Sequence, residues 1–83
     1  GTILTYPLLL TGKLHYTSEA GEYATLYIYD EKGRQVLLQR SQWVLAGSQD
    51  LDLRLPVKGL EKGKYTIALR TGNRELAAKD FEI

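Results

Sequence analysis

Hydrophobic and polar residues alternate along most of this chain, with the period of two that is typical of β-strands. The clearest example is residues 50–55, where Leu51, Leu53 and Leu55 share one face and charged residues occupy the other. Residues 65–70 follow the same rule. No stretch of useful length shows the 3.6-residue period of a helix. The pattern therefore predicts an all-β fold.

Turns separate several further alternating segments. These segments are residues 8–16, 23–29, 34–43 and 75–83, with a brief β-branched stretch at 2–5. Residues 46–49 are small and polar and are predicted to form a loop. Pro56 ends its strand because proline has no N–H for the ladder. Strands at this spacing predict an immunoglobulin-like antiparallel β-sandwich of about seven strands.

Two positions break the alternation. The last strand has two apolar pairs of opposite parity: Leu76 with Ala78, and Phe81 with Ile83. Both pairs can face the core only if the strand accommodates an extra residue, which we expect at 79–80 as a β-bulge. The register is also uncertain near Ser41, where we expect a second bulge.

The length and composition limit the classes of protein. Eighty-three residues make one domain. Because the chain begins with Gly1 and has no methionine, we expect residues 1–83 to be a processed product or a single domain excised from a larger protein. Eleven basic and ten acidic residues give a net charge of +1, which does not indicate a nucleic-acid partner.

Cysteine is absent, so the chain has neither disulfides nor a thiolate zinc site. No apolar run approaches the ~20 residues of a membrane helix, and we predict no membrane insertion.

The chemically reactive side chains do not suggest an enzyme. The single histidine, His15, lies at an outward strand position, and no acid–nucleophile pattern is visible nearby. Asp50 and Asp52 share a strand face, but calcium sites need about six or more oxygens from converging loops. Lys58, Lys62 and Lys64 cluster near one turn with Glu61 among them, which favours a solvated turn over an anion site. We therefore predict no catalytic residue, no cofactor and no metal.

One side of the strand at 23–29 is rich in tyrosine. If Leu26 and Ile28 point into the core, the opposite face carries aromatic side chains, which the neighbouring strand extends. The set is Tyr23, Tyr27, Tyr29, Leu37 and Trp43. Two interpretations remain open: a binding surface made of exposed aromatic residues, or cross-strand packing that stabilises the sheet.

The sequence Leu60-x-x-Gly63-x-Tyr65 resembles the tyrosine corner of immunoglobulin-like and fibronectin type III domains. In that motif a tyrosine near the start of a late strand bonds back to the preceding turn. The resemblance implies that the Tyr65 hydroxyl finds a backbone acceptor in that turn.

A longer pattern starts at Tyr27-x-Tyr29-Asp30-x-x-Gly33 and continues through the corner to the last strand. It resembles the C-terminal sorting domain of type IX secretion substrates, over roughly residues 24–83. The resemblance implies a turn motif and a terminal recognition strand. The turn motif is Asp30, Gly33, Gly63 and Tyr65. The terminal recognition strand is Lys79, Asp80, Phe81, Glu82 and Ile83.

This resemblance implies a non-catalytic address at the end of a cargo protein from Bacteroidota. The outer-membrane secretion machinery would recognise the domain after it reaches the periplasm and direct the cargo to the cell surface. Two other classes stay open. One is an immunoglobulin-like spacer or accessory module that binds a protein or glycan. The other is a macroglobulin-like or surface-assembly domain that self-associates through the apolar edge at residues 8–10.

Overall fold

A computed structural model describes residues 9–38, 41–72 and 74–83. Within these ranges the chain forms seven strands: β1 (Leu9–Ser18), β2 (Glu22–Asp30), β3 (Gln35–Leu38), β4 (Gln42–Val44), β5 (Gly47–Pro56), β6 (Lys64–Thr71) and β7 (Arg74–Glu82). The described ranges contain no helix that is long and apolar enough to cross a membrane. The prediction of an all-β fold with about seven strands is confirmed, and the immunoglobulin-like topology stays a prediction.

The strands form two antiparallel sheets. Strands β1 and β5 pair with each other, and the larger sheet has the order β3–β2–β6–β7. Strand β4 also pairs with β2, nearer to the start of that strand than β3 does. Within the larger sheet, β2 and β6 are therefore central, and β7 forms one edge.

The core lies on the apolar faces that the alternation predicted. Its buried side chains come from both sheets: Leu14, Tyr16, Leu53 and Leu55 from the small sheet, and Ala24, Leu26, Ile28, Val44, Tyr65, Ile67 and Leu69 from the large one, with Val57 after β5. Burying one such aliphatic side chain stabilises a fold by about 1.5–3 kcal/mol. The β1–β5 sheet is thus held to the larger sheet by apolar packing.

Strand β5 is longer than the sequence indicated. It begins at Gly47, and its pairing with β1 continues through Ser48 opposite Thr17 and Gly47 opposite Ser18. The prediction of a loop at 46–49 was therefore wrong for the last three of these residues. Small polar residues look like a loop in the sequence, but the long partner strand β1 supplies a continuous ladder for them.

The predicted strand at residues 34–43 is divided into β3 and β4. Tyr27 faces Leu38, whereas Ala24 faces Gln42. The stretch that pairs with β2 therefore holds one residue more than β2 between these two positions. This agrees with the irregularity expected near Ser41. Residues 39–40 and the segment 1–8, which includes the predicted stretch 2–5 and the first residue of the edge at 8–10, lie outside the described residues. The other two residues of that edge, Leu9 and Leu10, pair with Pro56 and Leu55 of β5.

Leu37 does not lie on the tyrosine face, and that prediction was wrong. Leu37 is opposite Ile28, but Gln35 is opposite Tyr29, so Val36 is an extra residue in β3. Residues directly opposite each other point to the same side of a sheet. Leu37 therefore shares the core side with Ile28, where it is partly buried against the core.

The last strand contains the extra residue that its parity conflict required, but nearer to the start of β7 than we predicted. Leu69 faces Ala77, and Arg70 faces Glu75, which leaves Leu76 without an opposite partner on β6. Leu76 and Ala77 both pack partly buried against the core as a result. The kind of irregularity was predicted correctly, and its position was wrong.

Candidate functional site

Three segments that the sequence singled out meet at one end of the larger sheet. Asp30 of β2 lies directly opposite Tyr65 of β6, and Tyr65 lies directly opposite Phe81 of β7. These three residues form a row across three strands. We call the surface around this row, made of residues 30–34, 59–65 and 79–83, the motif end.

The hairpin from Asp30 to Arg34 is organised by one carboxylate. Oδ1 of Asp30 accepts hydrogen bonds from the backbone N–H groups of Lys32 and Arg34, both at 2.9 Å, and Oδ2 accepts one from Nε of Arg34 at 3.0 Å. Gly33 has a φ of +79°, in the left-handed region that a glycine adopts with little strain.

These bonds favour the ionised form of the Asp30 side chain. The backbone N–H of Arg34 contributes most to lowering the pKa of Asp30, and the Arg34 guanidinium and the Lys32 N–H lower it further against a smaller effect of desolvation. Asp30 is therefore charged at neutral pH and holds the turn as a hydrogen-bond acceptor.

The corner residue Tyr65 makes the bond that the resemblance implied. Its hydroxyl donates to the backbone carbonyl of Glu61 with an O–O distance of 2.6 Å, and the residue is 8% exposed. The ring stacks on that of Phe81, with centroids 5.6 Å apart and an interplanar angle of 21°. The corner thus fixes both the preceding turn and the terminal strand.

The terminal strand is tied to the corner by its backbone. The N–H of Gly63 donates to the carbonyl of Ile83 at 3.2 Å, and the N–H of Ile83 donates to the carbonyl of Gly63 at 3.0 Å. The hydroxyl of Thr66 donates to Oδ1 of Asp80 at 2.9 Å. Lys79 and Glu82 are exposed. Pairing therefore continues to the last residue of the chain.

Two shallow grooves flank the row at the motif end. The larger, of about 500 Å³, is lined by Glu31, Lys64, Tyr65, Thr66, Asp80, Phe81 and Glu82. The other, of about 450 Å³, lies between the Asp30 hairpin and the 59–65 turn, with Lys32, Arg34 and Lys62 on its walls. Both linings mix acidic and basic side chains and contain neither histidine nor serine. Charges of both signs beside the rings of Tyr65 and Phe81 can form ion pairs and apolar contacts with a polypeptide.

The predicted aromatic face is two separate surfaces. Tyr27 and Tyr29 are half-buried and stack on each other with centroids 5.9 Å apart, as expected for cross-strand and same-face packing. Tyr23 and Trp43 are 67% and 55% exposed and meet edge to face at 5.1 Å. Only the second pair has the exposure of a binding surface.

The exposed pair is held by a glycine. A β-carbon at Gly21 would lie 2.7 Å from Cζ2 of Trp43, which is closer than two such carbons approach. The absence of a side chain at Gly21 therefore allows the indole to lie against the backbone, where it contacts Tyr23.

A second carboxylate cluster, which the sequence pattern did not indicate, lies at the opposite end of β2. Glu22 accepts hydrogen bonds from the hydroxyls of Ser18 at 2.8 Å and Thr71 at 3.0 Å, and from Nη2 of Arg74 at 2.9 and 3.1 Å. The Ser18 bond contributes most to lowering the pKa of Glu22. We call this cluster the far end. Arg74 is 52 residues from Glu22 in sequence, so no local pattern identified the cluster.

His15 lies at the outward strand position that the sequence predicted, but the pairing of β1 with β5 places two partners beside it that no nearby sequence pattern indicated. Its Nδ1 lies 2.9 Å from Oδ1 of Asp50, and its Nε2 lies 3.1 Å from Oγ of Ser48. Asp52 instead pairs with Lys13 at 3.8 Å. Each of the two aspartates considered for calcium thus faces a basic side chain across the small sheet.

Comparison with known proteins gives one match. A family model described as the secretion system C-terminal sorting domain matches residues 5–81, which is nearly the whole chain. The searches of curated proteins and of solved structures found no match.

Proposed function

Because the chain belongs to the family of type IX secretion C-terminal sorting domains, we propose that the motif end is the surface that the outer-membrane secretion machinery recognises. A domain of this family is part of a cargo protein and directs its export to the cell surface or the medium. The proposal assigns that task to particular residues.

The observation that supports this assignment is the row of Asp30, Tyr65 and Phe81. The three come from segments that are distant in sequence, yet the register of the larger sheet aligns them side by side. A receptor that binds to the row therefore contacts the hairpin, the corner and the terminal strand simultaneously. An unfolded or incompletely folded cargo would not present this surface.

The terminal strand has a backbone that a receptor can use. Among the described strands, β7 is hydrogen-bonded only to β6, and a strand from a partner could add to its other edge. The Lys64–Glu82 cross-strand pair is exposed beside this edge. We propose that backbone pairing supplies affinity and that these charges fix the register.

The experiment uses two matched charge swaps. In the test variant, Lys64→Glu is combined with Glu82→Lys, which reverses an opposed pair at the motif end. In the control, Lys13→Glu is combined with Asp52→Lys, which reverses an opposed pair on the β1–β5 sheet. Each swap conserves net charge and the attraction between its partners, so both domains should melt like the parent.

Each version of residues 1–83 is fused to the C-terminus of a reporter in a host with a type IX system. We expect the parent and the control to carry the reporter to the surface, and the test variant to leave it in the periplasm. Surface delivery of the test variant at the parent level would contradict the proposed recognition surface. Periplasmic retention of the parent itself would contradict a sorting role.

A second candidate function is binding of a protein or glycan through Tyr23 and Trp43, and it is favoured by their exposure. Paired exposed aromatic rings offer a flat apolar contact with polar edges. Combining Tyr23→Ser with Trp43→Ser should abolish such binding without affecting delivery of the reporter. If the double variant still binds the ligands of the cargo protein, Tyr23 and Trp43 are not the binding surface.

A further inference from the structure

A serine, an imidazole and a carboxylate are joined by hydrogen bonds on the outer face of the β1–β5 sheet. His15 lies directly opposite Asp50, and Ser48 lies two residues before Asp50 on β5. Side chains at this spacing point to the same side of a sheet. The distances are 2.9 Å from His15 Nδ1 to Asp50 Oδ1 and 3.1 Å from His15 Nε2 to Ser48 Oγ.

The charge of the carboxylate fixes the direction of these bonds. An ionised Asp50 can only accept, so Nδ1 of His15 must carry the proton between them. In the neutral imidazole Nε2 is then an acceptor, and the Ser48 hydroxyl donates to it. This is the order of donors and acceptors in which an imidazole removes the proton of a serine that attacks a carbonyl.

We propose that Ser48 is a nucleophile, activated by His15, that accepts acyl groups from carboxylic esters. Oγ of Ser48 forms a bond to the ester carbonyl carbon, and the bond from that carbon to the alcohol oxygen breaks. The proton of Ser48 moves to Nε2 of His15 and from there to the departing alcohol oxygen. Asp50 is a positioning residue, because it orients the ring and stabilises its protonated form.

The openness of the site determines which esters can react. The side chains of His15 and Asp50 are 65% and 53% exposed, and Ser48 is exposed as well. A substrate therefore approaches from solvent, and it is selected by the reactivity of its ester. Small activated esters, such as aryl acetates, are the class that fits.

The chain has three serines, so the other two serve as internal controls for Ser48. Ser18 is 3% exposed and donates to Glu22 and to a backbone carbonyl. Ser41 is exposed, and its described partner is the hydroxyl of Thr25 at 2.8 Å. Ser48 likewise lies near a threonine hydroxyl, that of Thr17 at 3.4 Å, but it contacts an imidazole in addition. Ser41 is thus a matched serine without the imidazole among its described partners.

The test exposes the whole 83-residue chain to p-nitrophenyl acetate at neutral pH, stops the reaction with acid and maps acetyl groups by peptide mass spectrometry. Mapping separates esters on serine from amides on lysine. General bases typically contribute 10²–10⁴-fold, and at this open site we expect Ser48 to react at least about tenfold faster than Ser41.

His15→Gln should reduce acetylation of Ser48 to the level of Ser41. Asp50→Asn should reduce it partly, and Asp50→Glu should retain more activity than Asp50→Asn. Circular dichroism and melting verify that each variant is folded. Equal reactivity of Ser48 and Ser41 in the parent, or no effect of His15→Gln, would overturn the proposal. Neither result depends on the sorting function, which the reporter experiment tests separately.

Discussion

Each end of β2 has one carboxylate that binds several donors, but the donors at the two ends come from different parts of the chain. These hydrogen bonds lower the pKa of each carboxylate. At the motif end, the partners of Asp30 lie within four residues of it. At the far end, the partners of Glu22 come from β1, β6 and β7.

The Asp30 cluster is therefore local, whereas the Glu22 cluster joins distant parts of the chain. The Asp30 cluster can form as soon as its own turn forms, and it shapes a surface. The Glu22 cluster exists only when three other strands are in place, so it joins the β1–β2 connection to the β6–β7 turn. We infer that the far end contributes more to the cooperativity of folding, and that the motif end contributes more to recognition.

The largest effect is expected from isosteric neutralisation of the two carboxylates. Glu22→Gln places an amide among the donors Ser18, Thr71 and Arg74, whereas Asp30→Asn can keep Oδ1 as acceptor for the two backbone N–H groups of the turn. Thermal melting should show a clearly lower midpoint for Glu22→Gln than for Asp30→Asn. The reverse order would contradict the division into a global and a local cluster.

A smaller effect is expected at the corner. Tyr65→Phe removes the hydroxyl that donates to the Glu61 carbonyl and keeps the buried ring. The loss should be about 1 kcal/mol, or a decrease of about 4–8 °C in Tm for a domain of this size. Urea denaturation measures it, with Tyr23→Phe as the exposed control. An unchanged midpoint would show that the corner is held by ring packing alone.

A third effect should appear only in acid. Because the pKa values of Glu22 and Asp30 are lowered from their ordinary values of 4.5 and 3.8, their contribution is complete above those values. It is lost as the pH falls through the lower values of the folded state. The urea midpoint of the parent should therefore decrease more steeply below about pH 4.5 than that of the double variant Glu22→Gln/Asp30→Asn. Parallel curves would contradict this linkage.

The faces of regular strands could be predicted from the sequence because alternation depends only on neighbouring residues. Leu53 and Leu55 are buried as expected, and Tyr65 makes its corner bond. The prediction failed where an extra residue reversed the parity. The extra residue Val36 puts Leu37 on the core side of the sheet. The extra residue Leu76 puts Ala77, rather than the exposed Ala78, against the core.

The position of such a bulge is decided by the partner strand. In β7, Ala77 and Ala78 are both small and tolerate either side of the sheet, so the sequence required an extra residue without locating it. The same reason explains the missed Ser48. Its assignment to a strand depends on pairing with Thr17, 31 residues away, and its own neighbours, Gly47 and Gln49, suggest a loop.

Both sheets pair strands that are distant in sequence, which slows folding. His15 and Asp50, which face each other in the small sheet, are 35 residues apart in sequence, and strands β2 to β4 lie within the intervening chain. Closing a loop of this length costs entropy before any contact in the sheet repays it. Domains built on such distant pairings fold on the order of milliseconds to seconds, whereas a hairpin forms in roughly 1–10 μs. The Asp30 turn can therefore form early, but the complete surface of the motif end also requires the pairing of Asp30 with Tyr65, which is similarly distant in sequence. A receptor that contacts all three segments will therefore bind only chains in which these strands have already paired.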